Sequence, residues 1–263
     1  MMELKQLLNI QKLKYKSNIY MTEFKFKLGL KRSPQDKRDL KMHVPQNKIL
    51  PNKYEIPVIR CSYNQGDIGS CSSNVICNQI MSLKDYSDNE YPSRLFQYYN
   101  SRLISGNEAF NDGCTYRDAY KSLSLFGFCD EQLWCYDTSK YAEKPPQEAY
   151  DKANKTLVKR YQSLPPCLYA IQFALTQNLP VAFGTMVYEN FNNLNENFIV
   201  PYPAGQMLGG HALLIIGYDN ETKLFKVKNS WGHEWGDGKG CCYMHYDHVL
   251  NSESFDFWCI TSK

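Results

Sequence analysis

The hydrophobic period changes near Pro180, and this switch constrains the fold more than any other feature of the chain. Ahead of it, apolar residues recur at helical spacing. Val75, Ile76, Ile80 and Leu83 follow Cys71, and similar patterns predict helices over residues 92–104, 116–126, 147–161 and 167–177. After it come short β-rich runs, VAFGTMVY, HALLIIGY, KLFKVKNSW and GCCYMHY, split by turn formers. Within the last of these, Cys241 and Cys242 are expected to point one into the core and one out. A helical front half and a strand-rich back half predict an α+β fold of two lobes with a cleft between them. The helical lobe is expected over about residues 51–160 and the β-rich lobe over about 161–263.

The first 50 residues have a different character. They carry twelve Lys/Arg against four Asp/Glu, a net charge of +8, while residues 51–263 have a net charge of −5. FKFKLGL alternates like a short strand, SPQDKRDLKMHVP is rich in turn formers and charge, and a boundary is expected near Leu50-Pro51. The charge contrast suits either a solvated tail or an arm that docks on the body by electrostatic complementarity. No nucleic-acid partner is expected, because no aromatic-basic platform is present. Residues 1–20 contain no unbroken apolar core of a secretion signal, and no stretch approaches the roughly 20 apolar residues of a membrane span. The expectation is therefore an intracellular protein with reduced thiols. Ten cysteines without a CxxC pair argue against a structural zinc site, and neither metal nor organic cofactor is expected.

Cys71 stands out chemically. A Gly-rich turn, Gln65-Gly66 to Gly69-Ser70, leads into a predicted helix whose first turn holds this thiol. A thiol attacks carbonyls as a thiolate, and its ordinary pKa is about 8.5. A helix N-terminus and a neighbouring imidazolium both favour the anion. Five histidines could supply the imidazole. His43 lies in the arm, His233 in a Gly-Trp loop, and His245 and His248 after the last strong strand run; each reads as an ordinary residue. His211 follows Gly209-Gly210 and opens the apolar run ALLIIGY, so it sits at the mouth of a buried strand beside a flexible turn. Asn229, which ends LFKV, has a side-chain oxygen able to fix the tautomer of that imidazole, and Trp231 could shield the bond from water. Gln65, six residues before Cys71, has an amide able to donate to an oxyanion.

These four residues, set in Gln65-x5-Cys71, Gly210-His211-Ala212 and Asn229-Ser230-Trp231-Gly232, closely resemble the pattern of the papain/cathepsin family of cysteine peptidases. Cys71 precedes His211 by 140 residues, inside the spacing of about 130–150 found in that family, and precedes Asn229 by 158, slightly beyond it. The resemblance spans roughly residues 50–250. It implies a papain-like two-lobe fold, with a helical left lobe, a β-barrel-like right lobe and the site in the cleft. It also implies peptide-bond hydrolysis of a peptide or protein substrate. Cys71 would be the nucleophile, His211 its base and acid, Asn229 the orienting residue, Gln65 part of the oxyanion hole, Trp231 a shield and Trp235 a wall on the leaving-group side. Gly113 and Tyr116 fall where the family's substrate-binding glycine loop lies. Gly184, Gly209, Gly210 and Ala212 fall near its main specificity pocket.

Two departures bear on subtype. Ile68 stands where lysosomal members have a cysteine, and Ser72 stands where they have a tryptophan. The form QGDIGSCSSN is more similar to an intracellular branch found in bacteria and some large DNA viruses. The roughly 50 residues ahead of the body are too few for the helical pro-domain of lysosomal members. Papain-like enzymes are commonly held inactive by an N-terminal segment in the cleft, so residues 22–50 are expected to cross the groove as an intramolecular inhibitor and mask Cys71. The competing readings are a catalytically silent binding protein on the same scaffold and another Cys-His acyl-transfer enzyme of the transglutaminase or amidase kind.

Overall fold

The computed structural model describes residues 26–57, 62–83 and 91–262. Residues 1–20, read above for a secretion signal, lie outside the described residues, as does Cys61. Three helices build one side of the molecule: α1 (Cys71–Leu83), α2 (Arg94–Ile104) and α3 (Tyr116–Phe126). Each start has a local cause. Ser93 accepts from the Phe96 N–H at the N-cap of α2, and Thr115 accepts from the Asp118 N–H at that of α3. Gly127, at φ 71°, ends α3 in a conformation that favours glycine.

The other side is a seven-stranded sheet. Its order is β4 (Arg160–Ser163), β9 (Ser254–Ser262), β5 (Val181–Tyr188), β6 (Met207–Asp219), β7 (Leu224–Lys228), β8 (Cys241–His245), with β2 (Lys53–Glu55) also on β6. These pairings are antiparallel. Strands β5 and β6 read as unbroken apolar runs because both faces are covered. Ala182, Ala212, Leu214 and Ile216 share a cluster with Val75, Ile76 and Ile80 of α1, whereas Val181, Phe183, Leu213 and Ile215 share another with Ile171 and Leu175 of α5 (Leu168–Thr176). Cys241 and Cys242 follow the same rule. They belong to different clusters, yet both are buried, so the outward position expected for one of them is itself covered.

Helix α1 is buried from Cys71 to Ile80 and locked to the sheet by Gln79. The Gln79 amide donates to the carbonyls of Pro180 (2.9 Å) and Trp258 (3.1 Å) and accepts from the Tyr120 hydroxyl (2.6 Å). This fixes where the first turn of α1 faces the sheet. The expected helix over 147–161 is cut short. Helix α4 covers only Gln147–Ala153, and β4 follows because Arg160–Ser163 pairs with β9, a partner about a hundred residues away that local periodicity cannot register.

Residues 26–50 pack into the fold. Strand β1 (Leu30–Lys31) pairs in parallel with β3 (Cys114–Thr115). Leu40 and Met42 exchange backbone hydrogen bonds with Ser163, and the Tyr169 hydroxyl binds Pro45 and Lys48. Among the described residues no helix is long and apolar enough to cross a membrane.

Candidate active site

Cys71 opens α1, and the backbone N–H of Ala212, the residue after His211 on β6, faces its sulfur. The front and back of the chain therefore meet at this point. His211 Nε2 lies 2.7 Å from Asn229 Oδ1, and His211 Nδ1 is buried with no hydrogen-bond partner among the described residues. Trp231 stacks on the imidazole, with ring centroids 4.7 Å apart. Asn229 is held by its own N–H to the Gly240 carbonyl and by the Ser230 N–H donating to Oδ1 at 2.7 Å.

Gln65 joins the same group through Ser230. The Gln65 N–H donates to the Ser230 carbonyl (2.8 Å), and the Ser230 hydroxyl donates to Gln65 Oε1 (2.7 Å). With its oxygen taken, the Gln65 amide turns its NH2 toward the cleft, where it donates to the carbonyls of Lys27 (2.9 Å) and Ile68 (3.1 Å). Ser230 is thus a second anchor of the site, flagged in the sequence only by its place between Asn229 and Trp231.

Residues 26–33 fill the groove above these groups. Phe26 stacks flat on Trp231 (4.8 Å, 5°), the Lys27 carbonyl meets Gln65, and the Gly29 N–H faces the Cys71 sulfur. The Gly29 carbonyl accepts from the Cys114 N–H at 3.0 Å. A Cβ at Gly29 would overlap the Gly69 carbonyl, and one at Gly113 would overlap the Gly29 carbonyl, so three glycines allow backbones to pass at close range. Leu30 is buried in the well beside Gly184 and Phe255, and its carbonyl passes over Gly210.

Burial pushes the Cys71 thiol up, outweighing the N–H donors of Ala212, Gly29, Ser72 and Cys71 itself. Burial also holds His211 down to about 4 against the opposing effect of its Asn229 bond. Desolvation disfavours both charged forms, so in the covered form the Cys71 thiol and the His211 imidazole are both neutral at pH 7. The helix terminus alone does not produce a thiolate here.

The remaining expected residues divide clearly. Gly113, Gly184, Gly209 and Gly210 line the groove against residues 28–30, and Ala212 supplies the N–H at the sulfur. Trp235 stands edge-on to Trp231 at 5.3 Å, with its Nε1 donating to Asn192 Oδ1. Tyr116 is a correction. It is fully buried, and its hydroxyl donates toward the carbonyls of Phe183 and Leu213, so it ties α3 to the sheet and does not reach the groove. Its place one residue into a helix packed on β5 and β6 turns the ring inward. The nine cysteines among the described residues are all free thiols.

The match to known proteins decides the family. A model of the papain family of cysteine proteases covers residues 53–254. The chain belongs to the papain family. It is a cysteine peptidase, a hydrolase, and the silent-scaffold and transglutaminase-like readings are set aside. An uncharacterized peptidase C1-like protein of Acanthamoeba polyphaga mimivirus is 34% identical over 221 residues, which are 78% of this chain and 71% of that protein. A cathepsin B-like cysteine proteinase of Ostertagia ostertagi is 39% identical over 110 residues, 39% of this chain and 63% of that one. Among solved structures, xylellain, a cysteine protease from Xylella fastidiosa, superposes with a TM-score of 0.82 at 29% identity. The match covers 90% of this chain and 96% of xylellain. A procathepsin B of Trypanosoma congolense shares the fold at a TM-score of 0.64 and 16% identity, over 89% of this chain and 87% of that one.

Proposed function

We propose that Cys71 is the nucleophile of this papain-family peptidase, His211 its proton carrier, Asn229 the residue that fixes the imidazole, and Gln65 the side-chain donor to the oxyanion. We further propose that residues 26–33 act as a tethered inhibitor. One observation carries the reading: Gln65 and Cys71, beside the His211–Asn229 pair, converge on one stretch of arm, which offers a carbonyl to the first and an N–H to the second.

In the open enzyme the Cys71 thiolate attacks the scissile carbonyl, and the oxyanion lies between the Gln65 NH2 and the Cys71 N–H. Protonated His211 gives its proton to the leaving amine as the C–N bond breaks, leaving a thioester. His211 then takes a proton from water, whose oxygen attacks the thioester, and collapse releases the acid and restores the thiolate. Asn229 keeps the ring aligned for both transfers, and Trp231 keeps water off their bond.

The direction of the arm favours inhibition over cleavage. It enters beside Trp231, on the leaving-group side, and runs toward Gly113 and Gly184. The family resemblance puts a substrate's acyl half at those glycines, so a substrate would run the opposite way. The arm therefore occupies the groove with its peptide bonds reversed. Burying Leu30 adds about 1.5–3 kcal/mol to its hold.

Gln65→Ala tests the mechanism in a chain whose arm has been dislodged. The expected result is a fall in kcat of about 10²–10³-fold with KM little changed. An unchanged kcat in a folded variant rejects the oxyanion role.

A further inference from the structure

We propose that Phe255 and Asp256, with the Ser252 carbonyl, form a substrate subsite for a guanidinium or ammonium side chain on the acyl side of the well filled by Leu30. The proposal rests on the peptidase reading above and extends it to substrate class.

The subsite has an occupant in this chain. The Arg32 guanidinium lies over the Phe255 ring, 4.7 Å from its centroid, and its Nη2 donates to the Ser252 carbonyl at 3.3 Å. Beside it, Asp256 Oδ2 accepts from the Ser33 N–H at 2.6 Å. An aromatic face and a carbonyl thus hold the cationic group, and a carboxylate sits on the backbone N–H of the next residue. Phe255 does two jobs, since its inner edge bounds the Leu30 well at Gly184 while its face carries Arg32. Well and ledge are therefore read by side chains two residues apart on one extended strand.

Asp256 is built in an unusual way. It has φ 55°, a left-handed conformation that costs a non-glycine residue energy and that persists where surrounding structure demands it. Burial raises its carboxyl pKa, while the Ser33 N–H and hydroxyl, then Arg117 and Arg32, oppose that shift. Ser33 and Arg32 belong to the arm, so when the arm leaves, this half-buried carboxylate loses those donors and needs new ones. Arg117 is the other cation facing it. Arg117 binds Asp39 and the Pro34 carbonyl, both just beyond residues 26–33. The competition is between a substrate cation and Arg117. The Phe255 face, already sized for a guanidinium, gives the substrate a contact that the Arg117–Asp256 pair would not replace.

The test uses the full chain carrying Gly29→Ala, which dislodges the arm without touching the body. Quenched fluorescent peptides with leucine in the well carry Arg, Gln or Glu at the first, second or third residue before it. The same peptides are scored as protectants of Cys71 against alkylation, a readout of binding that needs no turnover. We expect Arg over Gln to raise kcat/KM and protection about fivefold at one position, the second from the leucine, and high salt to shrink the effect. Asp256→Asn should remove the preference, and Asp256→Lys should turn it toward Glu. Charge-independent hydrolysis and protection at every position, as expected if Arg117 closes on Asp256, overturns the proposal. So does a preference that survives Asp256→Asn. Charge-dependent protection without hydrolysis leaves the subsite standing and sinks the catalytic reading instead.

Discussion

Replacing Cys71 by alanine is expected to lower peptide hydrolysis by at least about 10⁴-fold, because no other group at the site can form the thioester. The change removes one buried sulfur, so the melting transition should move by no more than about 1–2 kcal/mol of stability. The measurement is kcat/KM on a fluorogenic peptide, paired with a thermal scan. Labelling by a thiol-directed irreversible inhibitor must be mapped to the residue, since Cys135 and Cys167 are also exposed free thiols. Retained turnover in the Cys71→Ala chain, with another cysteine labelled, rejects the assignment.

The second large effect concerns the arm. Gly29→Ala puts a methyl group onto the Gly69 carbonyl, a backbone atom that cannot rotate away. Overpacking of this kind costs about 1–3 kcal/mol, and here the cost falls on the closed form alone. Activity should rise at least about fivefold, and Leu30→Asp should act in the same direction by placing a carboxylate in an apolar well. Both residues belong to the arm, so the body is unaltered. A cut after residue 33 is a better truncation than one at residue 50. Leu40 and Met42 pair with Ser163, and Tyr169 holds Pro45 and Lys48, so a deletion through residue 50 strips contacts from the β-rich lobe. Unchanged activity in a folded Gly29→Ala chain would contradict the inhibitor role.

The candidate site was legible in the sequence because its residues have chemically distinctive surroundings. A cysteine behind a Gly-rich turn, a histidine opening an apolar strand, and Asn-Ser-Trp-Gly each narrow the possibilities, and their order narrows them further. The bounds of α3 were legible for a similar reason, with Thr115 as its N-cap and Gly127 as its end. The rest depended on distant pairing. Strand β2 falls in the helical half of the sequence yet joins β6, because an edge partner is chosen in space. Tyr116 shares the NDGCTY run with Gly113 but points into the core, a consequence of how α3 packs against β5 and β6. The neutral Cys71–His211 pair was also hidden. The sequence indicates a helix terminus at the thiol, but the burial that outweighs it arises from the packing of segments distant in sequence.

The pH dependence of Cys71 alkylation, compared between the wild-type and Gly29→Ala chains, tests the central claim most directly. In the covered form, burial raises the thiol and lowers His211 to about 4, so both groups stay neutral at pH 7 and reactivity should be slow, rising only in alkaline solution. Opening the groove returns water to the pair, and a proton can pass from sulfur to imidazole. The Gly29→Ala chain should then react rapidly, with a midpoint well below the ordinary thiol value of about 8.5. A midpoint at or above that value in the opened, folded chain would contradict a thiolate–imidazolium pair and, with it, the assignment of Cys71 and His211 as partners in catalysis.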